Sequence, residues 1–215
     1  MAADVARYGP DIPTEAEFKL CGNLEGKRVL ELGTAAQAAV AFAKQGAHVV
    51  AVDTSSERLA GLRQRADAEE VKVELHESDL ADIAFVRADG IDLAFSSYAF
   101  DEVDDLNRVF RQVHRVLRQD CPLVFSVSHP SYAMIDDSAE DPLLVRRSYF
   151  ERSTDGEKPH RTISELFTGL TRSNFRVDTI LEPGPASSGP RSPEWRETFK
   201  YVPRTLIIRA RKEGI

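Results

Sequence analysis

Short apolar runs stopped by glycine, proline or an acid alternate along this chain with longer stretches whose apolar positions recur at helical spacing. Arg28-Val29-Leu30-Glu31-Leu32 is one such run, closed by Gly33. Ala47-His48-Val49-Val50-Ala51-Val52 is a second, closed by Asp53. Between them residues 35–44 are mostly alanine with Val40 and Phe42, a helix-forming stretch whose small side chains let a helix approach a sheet closely, and Gly46 follows its end. The unit predicts two parallel strands joined by a helix, because a parallel pair needs such a crossover.

The alternation continues to the end of the chain. Residues 14–20 predict a short helix, and Ser56 to Glu69 a longer one with Leu59, Leu62 and Ala66 on its inner face. Val71-Lys72-Val73-Glu74-Leu75 has a period of two, which predicts an edge strand wet on one side. Residues 90–98 and 123–128 predict the fourth and fifth strands. The helix between them has an apolar face running through Val103, Leu106, Val109, Phe110, Val113, Val116 and Leu117. A capping box at Thr162 and Glu165 opens another helix, which Asn174 stops in a left-handed turn. Residues 175–181 and 205–210 predict the sixth and seventh strands. The pattern is that of an α/β fold in a single domain over 1–215, with an N-terminal arm and helix at 1–26. At 131–161 a polar stretch is long enough to serve as a lid.

The 215 residues, 42% of them hydrophobic, supply an ample core for one domain. A net charge of −7 repels phosphate backbones, so the reading includes no nucleic-acid partner. Arg108, Arg111, Arg115 and Arg118 then read as a solvated helix face. No run approaches the roughly 18 apolar residues that span a bilayer, and the start lacks a basic, apolar leader. The expectation is therefore a cytoplasmic protein with no membrane partner. Cys21 and Cys121 lie far apart, and no two histidines have metal-ligand spacing, so no metal is expected.

Open sheets of this kind bind ligands outside the carboxyl ends of their strands, which draws attention to the acids there. Asp53 follows Gly33 by 53 − 33 = 20 residues, the distance at which an acid accepts hydrogen bonds from the ribose of a nucleotide. The other reading is that Asp53 caps the following helix, a task that Thr54 and Glu57 already perform as a capping box. Glu102 is a candidate for proton abstraction, or one of several acids that complement a helix N-terminus. His129 ends a central strand, where an ordinary pKa of about 6.5 suits a general base. Alternatively, it hydrogen-bonds its own loop.

The stretch Glu31-Leu32-Gly33-Thr34-Ala35-Ala36-Gln37 resembles the first motif of the class I S-adenosylmethionine-dependent methyltransferases, an acid leading a glycine-rich turn of the form Glu/Asp-x-Gly-x-Gly-x-Gly. Of the three glycines only Gly33 is present. The resemblance covers the element order from Lys27 to Lys212. It implies a Rossmann-like, doubly wound domain with a seven-stranded, mostly parallel sheet, an antiparallel last strand and helices on both faces. It also implies S-adenosyl-L-methionine as cofactor. In that scheme Glu31, Gly33 and Thr34 place the methionine end, Asp53 and Thr54 hold the ribose, Asp79 and Leu80 meet the adenine, and Ser96 and Ser97 lie nearest the sulfonium. Asp79 has a second reading as the cap of a turn. Tyr98 and His129 would face the substrate, with His129 the catalytic base and Tyr98 offering its ring to a cation or plugging the end of the sheet. The implied reaction is methyl transfer to a small molecule, with a homodimer left open. The alternative is a scaffold whose depleted glycine loop has lost the cofactor and which acts as a binding or interaction protein. A nicotinamide-dependent reductase shares the Asp53 argument but requires Gly-x-Gly-x-x-Gly, which is absent.

Overall fold

A computed structural model describes residues 5–151 and 159–214. Its strands are β1 (Arg28–Leu32), β2 (His48–Asp53), β3 (Val73–Glu77), β4 (Leu93–Ser97), β5 (Pro122–Ser128), β6 (Phe175–Leu181) and β7 (Thr205–Lys212). They form one sheet in the order β3-β2-β1-β4-β5-β7-β6. β1 to β5 pair in parallel, and β7 runs antiparallel between β5 and β6. The order reverses between β1 and β4, so the crevice of a doubly wound sheet opens above these two strands.

The helices are α1 (Glu15–Phe18), α2 (Ala38–Lys44), α3 (Ser56–Ala68), α4 (Leu106–Val116) and α5 (Ile163–Arg172). Because side chains alternate along a strand, each central strand feeds two layers. Leu30, Val50, Ala94 and Phe125 meet Phe110 and Val113 of α4 and Leu166 and Leu170 of α5. Val29, Val49, Phe95 and Val124 meet Val40 and Phe42 of α2 and Leu62 of α3. The N-terminal arm joins this second layer through Ala6, Tyr8 and Ile12. Tyr8 donates a hydrogen bond to Glu15, and its ring lies 5.5 Å from that of Phe95.

Several boundaries move relative to the sequence pattern. The helix expected from residue 35 begins at Ala38, because residues 34–37 form a turn closed by a 3.0 Å hydrogen bond from Gln37 N to Thr34 O. α1 is a single turn, ended by Lys19 in the left-handed region. β3 is the expected edge strand but starts at Val73. Among the described residues no helix joins β3 to β4; Leu80, Ile83, Val86 and Ile91 of that connection instead enter the core as irregular chain. The predicted lid includes residues 152–158, which lie outside the described residues. Among the described residues no helix is long and apolar enough to cross a membrane.

Candidate active site

Glu31 points back under the turn that follows β1. Its carboxylate accepts hydrogen bonds from Ala38 N at 2.8 Å and Ala39 N at 3.0 Å, satisfying two amides that every helix leaves unpaired at its start. It is fully buried. Burial pushes its pKa up to about 8 against the opposing effect of the two amides, and the charge of Asp53 adds to the rise. Two residues in this turn sit at positive φ: Gly33 at 80° and Gln37 at 51°. A Cβ on Gly33 would collide with the Ala99 side chain, so the end of β1 is packed directly against the turn that follows β4.

Asp53, at the end of β2, is buried and heavily bonded. Oδ2 accepts from Thr34 N at 2.7 Å and Thr34 Oγ1 at 2.9 Å, and Oδ1 accepts from Ser55 N at 2.8 Å. Arg58 spans both oxygens, with Nε 3.0 Å from each and Nη2 2.7 Å from Oδ1. Burial alone would raise the acid's pKa, but the bonds from Arg58, Thr34 and Ser55 outweigh it and hold the carboxyl below its usual range. The expected capping box of Thr54 and Glu57 is not what starts α3. Ser55 is the N-cap and accepts from Arg58 N at 3.2 Å, one residue later than the pattern suggested.

Above these strand ends lies a cavity of about 300 Å³. Five residues singled out from the sequence line it together: Gly33, Asp53, Thr54, Asp79 and Leu80. Asp79 also performs its alternative task, since Oδ1 accepts from Ala81 N at 2.7 Å. Ala99, Glu102, Arg58 and Arg108 complete much of the wall. Four other candidates stand behind the wall. Glu31 caps α2 and Thr34 anchors Asp53. Ser96 Oγ donates to Leu32 O at 2.8 Å, and Ser97 Oγ accepts from Ser126 Oγ at 3.3 Å. These serines tie β4 to its neighbours.

A second cavity, of about 400 Å³, opens beside the end of β5 and is lined by Asp101, Ser128, Tyr132, Arg147, His160 and Arg161 among others. The 3₁₀ helix Ala99–Glu102 contributes to both spaces, Ala99 and Glu102 to the first and Asp101 to the second. Asp101 accepts from Ser128 N and Oγ, the latter at 2.7 Å. Arg161 donates to the carbonyls of Phe100, Val103 and Asp104, stapling the outer segment to this helix.

Tyr98 and His129 line neither cavity. Tyr98 has φ of 59°, a strained value for an aromatic residue, and its hydroxyl hydrogen-bonds to Thr205 Oγ1. Gly9 lies over it so closely that a Cβ there would sit 2.9 Å from the phenol oxygen. His129 is buried; Nδ1 accepts from Ser131 N at 3.1 Å, leaving Nε2–H to donate to Glu182 at 2.8 Å. Arg58 was missed from the sequence, although an arginine in the first turn of a helix just after a strand-terminal acid is placed to reach back to it.

The chemistry of the first cavity suits an adenosyl group, with backbone at Gly33, carboxylates at Asp53 and Asp79 and an apolar Leu80, except that Asp53 has no acceptor left while Arg58 is on it. Residues 30–125 match the family described as methyltransferase domain. The chain is similar to an S-adenosylmethionine-dependent methyltransferase of Mesorhizobium loti, 27% identical with a TM-score of 0.73 over 92% of this chain and 96% of that one. A structure from Listeria monocytogenes, provisionally assigned to the same activity, has a TM-score of 0.75 at 24% identity over 92% of this chain and 95% of its own. A Geobacillus relative, provisionally named a methyltransferase, is 28% identical over 71% of this chain and 64% of its own length. The match over residues 30–125 and the shared fold support a class I S-adenosylmethionine-dependent methyltransferase, with S-adenosylmethionine the cofactor they imply.

Proposed function

We propose that this protein transfers the methyl group of S-adenosylmethionine to a small molecule. The observation that carries the reading is the convergence of Gly33, Asp53, Thr54, Asp79 and Leu80 on one cavity at the carboxyl ends of the first three strands. Asp53 and Thr54 hold the ribose, and Asp79 with the backbone near Leu80 meets the adenine. Glu31, Thr34, Ser96 and Ser97 act one step back, fixing the turn and strands from which the wall is built. When bound, the cofactor supplies an activated methyl group; the chain's own residues have only to align an acceptor with it and exclude water.

The cavity of about 400 Å³ beyond the Ala99–Glu102 helix is the acceptor space, and its size supports a small substrate. Asp101, Arg147 and Arg161 provide charges of both signs there, and Tyr132, Ser148 and Glu151 of the outer segment border it. With both ring nitrogens of His129 engaged, that residue supports the loop beside this space, and Asp101, Glu151 and His160 are among the polar side chains that line it.

Calorimetric titration with S-adenosylmethionine and S-adenosylhomocysteine tests the first half of the proposal. Binding of both is expected, weakened by about 1.5–3 kcal/mol in Asp53→Ala. No heat with either ligand at millimolar concentration would overturn it. Release of S-adenosylhomocysteine in the presence of a panel of small acceptors tests the second half, and turnover confined to protein or nucleic-acid acceptors would exclude it.

A further inference from the structure

A nucleoside's cis-diol has to donate to the acid at the end of β2, yet every acceptor direction on that acid is occupied. A carboxylate offers about four lone-pair sites. Asp53 meets five donor groups: Thr34 N, Thr34 Oγ1, Ser55 N, and Nε and Nη2 of Arg58. Three of the five belong to the turn after β1 and the start of α3, and they fix the carboxylate from behind. Only Arg58 approaches on a long side chain, and that side chain is 39% exposed whereas Asp53 is 1% exposed.

The geometry of Arg58 bears on what it replaces. Its guanidinium lies across the carboxylate, with Nε 3.0 Å from Oδ1 and 3.0 Å from Oδ2 and Nη2 2.7 Å from Oδ1. Paired donors bridging two carboxylate oxygens are also what a ribose diol presents. Arg58 and Asp53 line the same cavity, together with Glu102, whose negative charge already acts on Arg58. A guanidinium leaving Asp53 therefore stays within reach of a counter-charge.

We propose that Arg58 is an internal surrogate for the ribose diol, that an adenosyl ligand enters by displacing it from Asp53, and that the displaced guanidinium is received by Glu102. The proposal rests on the adenosyl reading of this cavity. It makes Arg58 a residue that sets cofactor affinity: the resting protein holds its ribose site closed by an ion pair, and only a ligand with two suitably placed donors replaces both halves of that contact. Exchange is open to Arg58 because its long side chain is exposed, while the carboxylate stays anchored by Thr34 and Ser55.

The test is calorimetric titration of S-adenosylhomocysteine into the wild type, Arg58→Met, Glu102→Gln and the double variant, with thermal unfolding of each ligand-free protein alongside. Arg58→Met is expected to bind about tenfold more tightly, the equivalent of one vacated charged hydrogen bond. Without ligand the same variant melts earlier, because Asp53 loses its cation. Glu102→Gln is expected to weaken binding several-fold in the wild-type background and to change nothing in the Arg58→Met background. Arg58→Lys, whose single ammonium cannot bridge both oxygens, falls between wild type and Arg58→Met and guards against a folding defect in the latter. Unchanged or weaker binding by both Arg58 variants, with wild-type binding intact, overturns this proposal alone. Absence of binding by the wild type and every variant overturns the adenosyl reading together with it.

Discussion

The carboxylate of Glu31 reaches under its own turn to accept the amide of Ala38 at 2.8 Å, so that a residue of β1 caps the helix that follows it. A buried acid in this position couples the turn after β1 to pH. Its pKa, pushed up to about 8 by burial, lies above the ordinary 4.5. Between those values the folded protein holds a proton that the unfolded chain has lost. The stabilisation is therefore fully present below about pH 4.5, declines as pH rises and is gone above about 8. Chemical denaturation from pH 5 to 9 is expected to show this decline, and Glu31→Gln to flatten it; equal slopes for the two proteins would refute the assignment.

In the glycine-rich pattern that this turn resembles, the third glycine falls at Gln37, which keeps the positive φ, whereas Ala35 does not. Gln37→Gly is expected to relieve about 1 kcal/mol of backbone strain, less what is lost with the 2.6 Å hydrogen bond from Arg65 to the Gln37 side chain. Ala35→Gly is expected to destabilise by about 0.5–1 kcal/mol, since flexibility is added where no positive φ calls for it. Denaturation midpoints measured in parallel decide whether the two changes differ in this order.

Gly33→Ala places a methyl group against Ala99 and imposes a disfavoured φ. A loss of about 2–4 kcal/mol is expected, and the double variant Gly33→Ala/Ala99→Gly should recover the steric share but not the conformational one. A double-mutant cycle by urea denaturation reads the coupling directly; additivity would mean that the two residues do not meet.

Arg161→Ala removes the donor to three carbonyls at the end of the Ala99–Glu102 helix. The expected outcome is a loss of about 1–3 kcal/mol together with faster amide exchange over residues 99–105, and Arg161→Lys should restore less than half, because an ammonium does not span the three acceptors.

His129→Ala is expected to cost about 1–3 kcal/mol through the orphaned Ser131 amide and the lost contact with Glu182. Intact stability combined with loss of one limb of a pH-rate profile would instead restore the catalytic base of the sequence reading.

Much of the architecture was legible because it rests on local pattern. Phe175–Leu181 is a strand over the very residues expected, bounded by Asn174 in the left-handed region and a loop from Glu182. Acids at strand ends were legible for the same reason, and Gly33, Asp53, Thr54, Asp79 and Leu80 do converge. What was not legible depends on side chains from elsewhere in the chain. The start of α2 is set by Glu31, seven residues upstream of Ala38. The occupant of Asp53 is a rotamer choice by Arg58, and the neighbour of Gly33 is brought in by a turn after another strand. Tyr98 and His129 sit where their strands end, yet Gly9 and Glu182 cover them, and neither contact has a signal in local sequence.

The clasp between the two ends of the chain adds a practical point. Asp11 accepts from Ser192 N at 2.7 Å and from its hydroxyl, while Tyr8 is sunk in the core three residues earlier. Trimming the chain back to Pro13 would therefore unseat the stretch around Ser192 as well as exposing Phe95, and a shortened version that failed to work would have lost part of its core packing, with every carboxylate of the crevice still in the sequence.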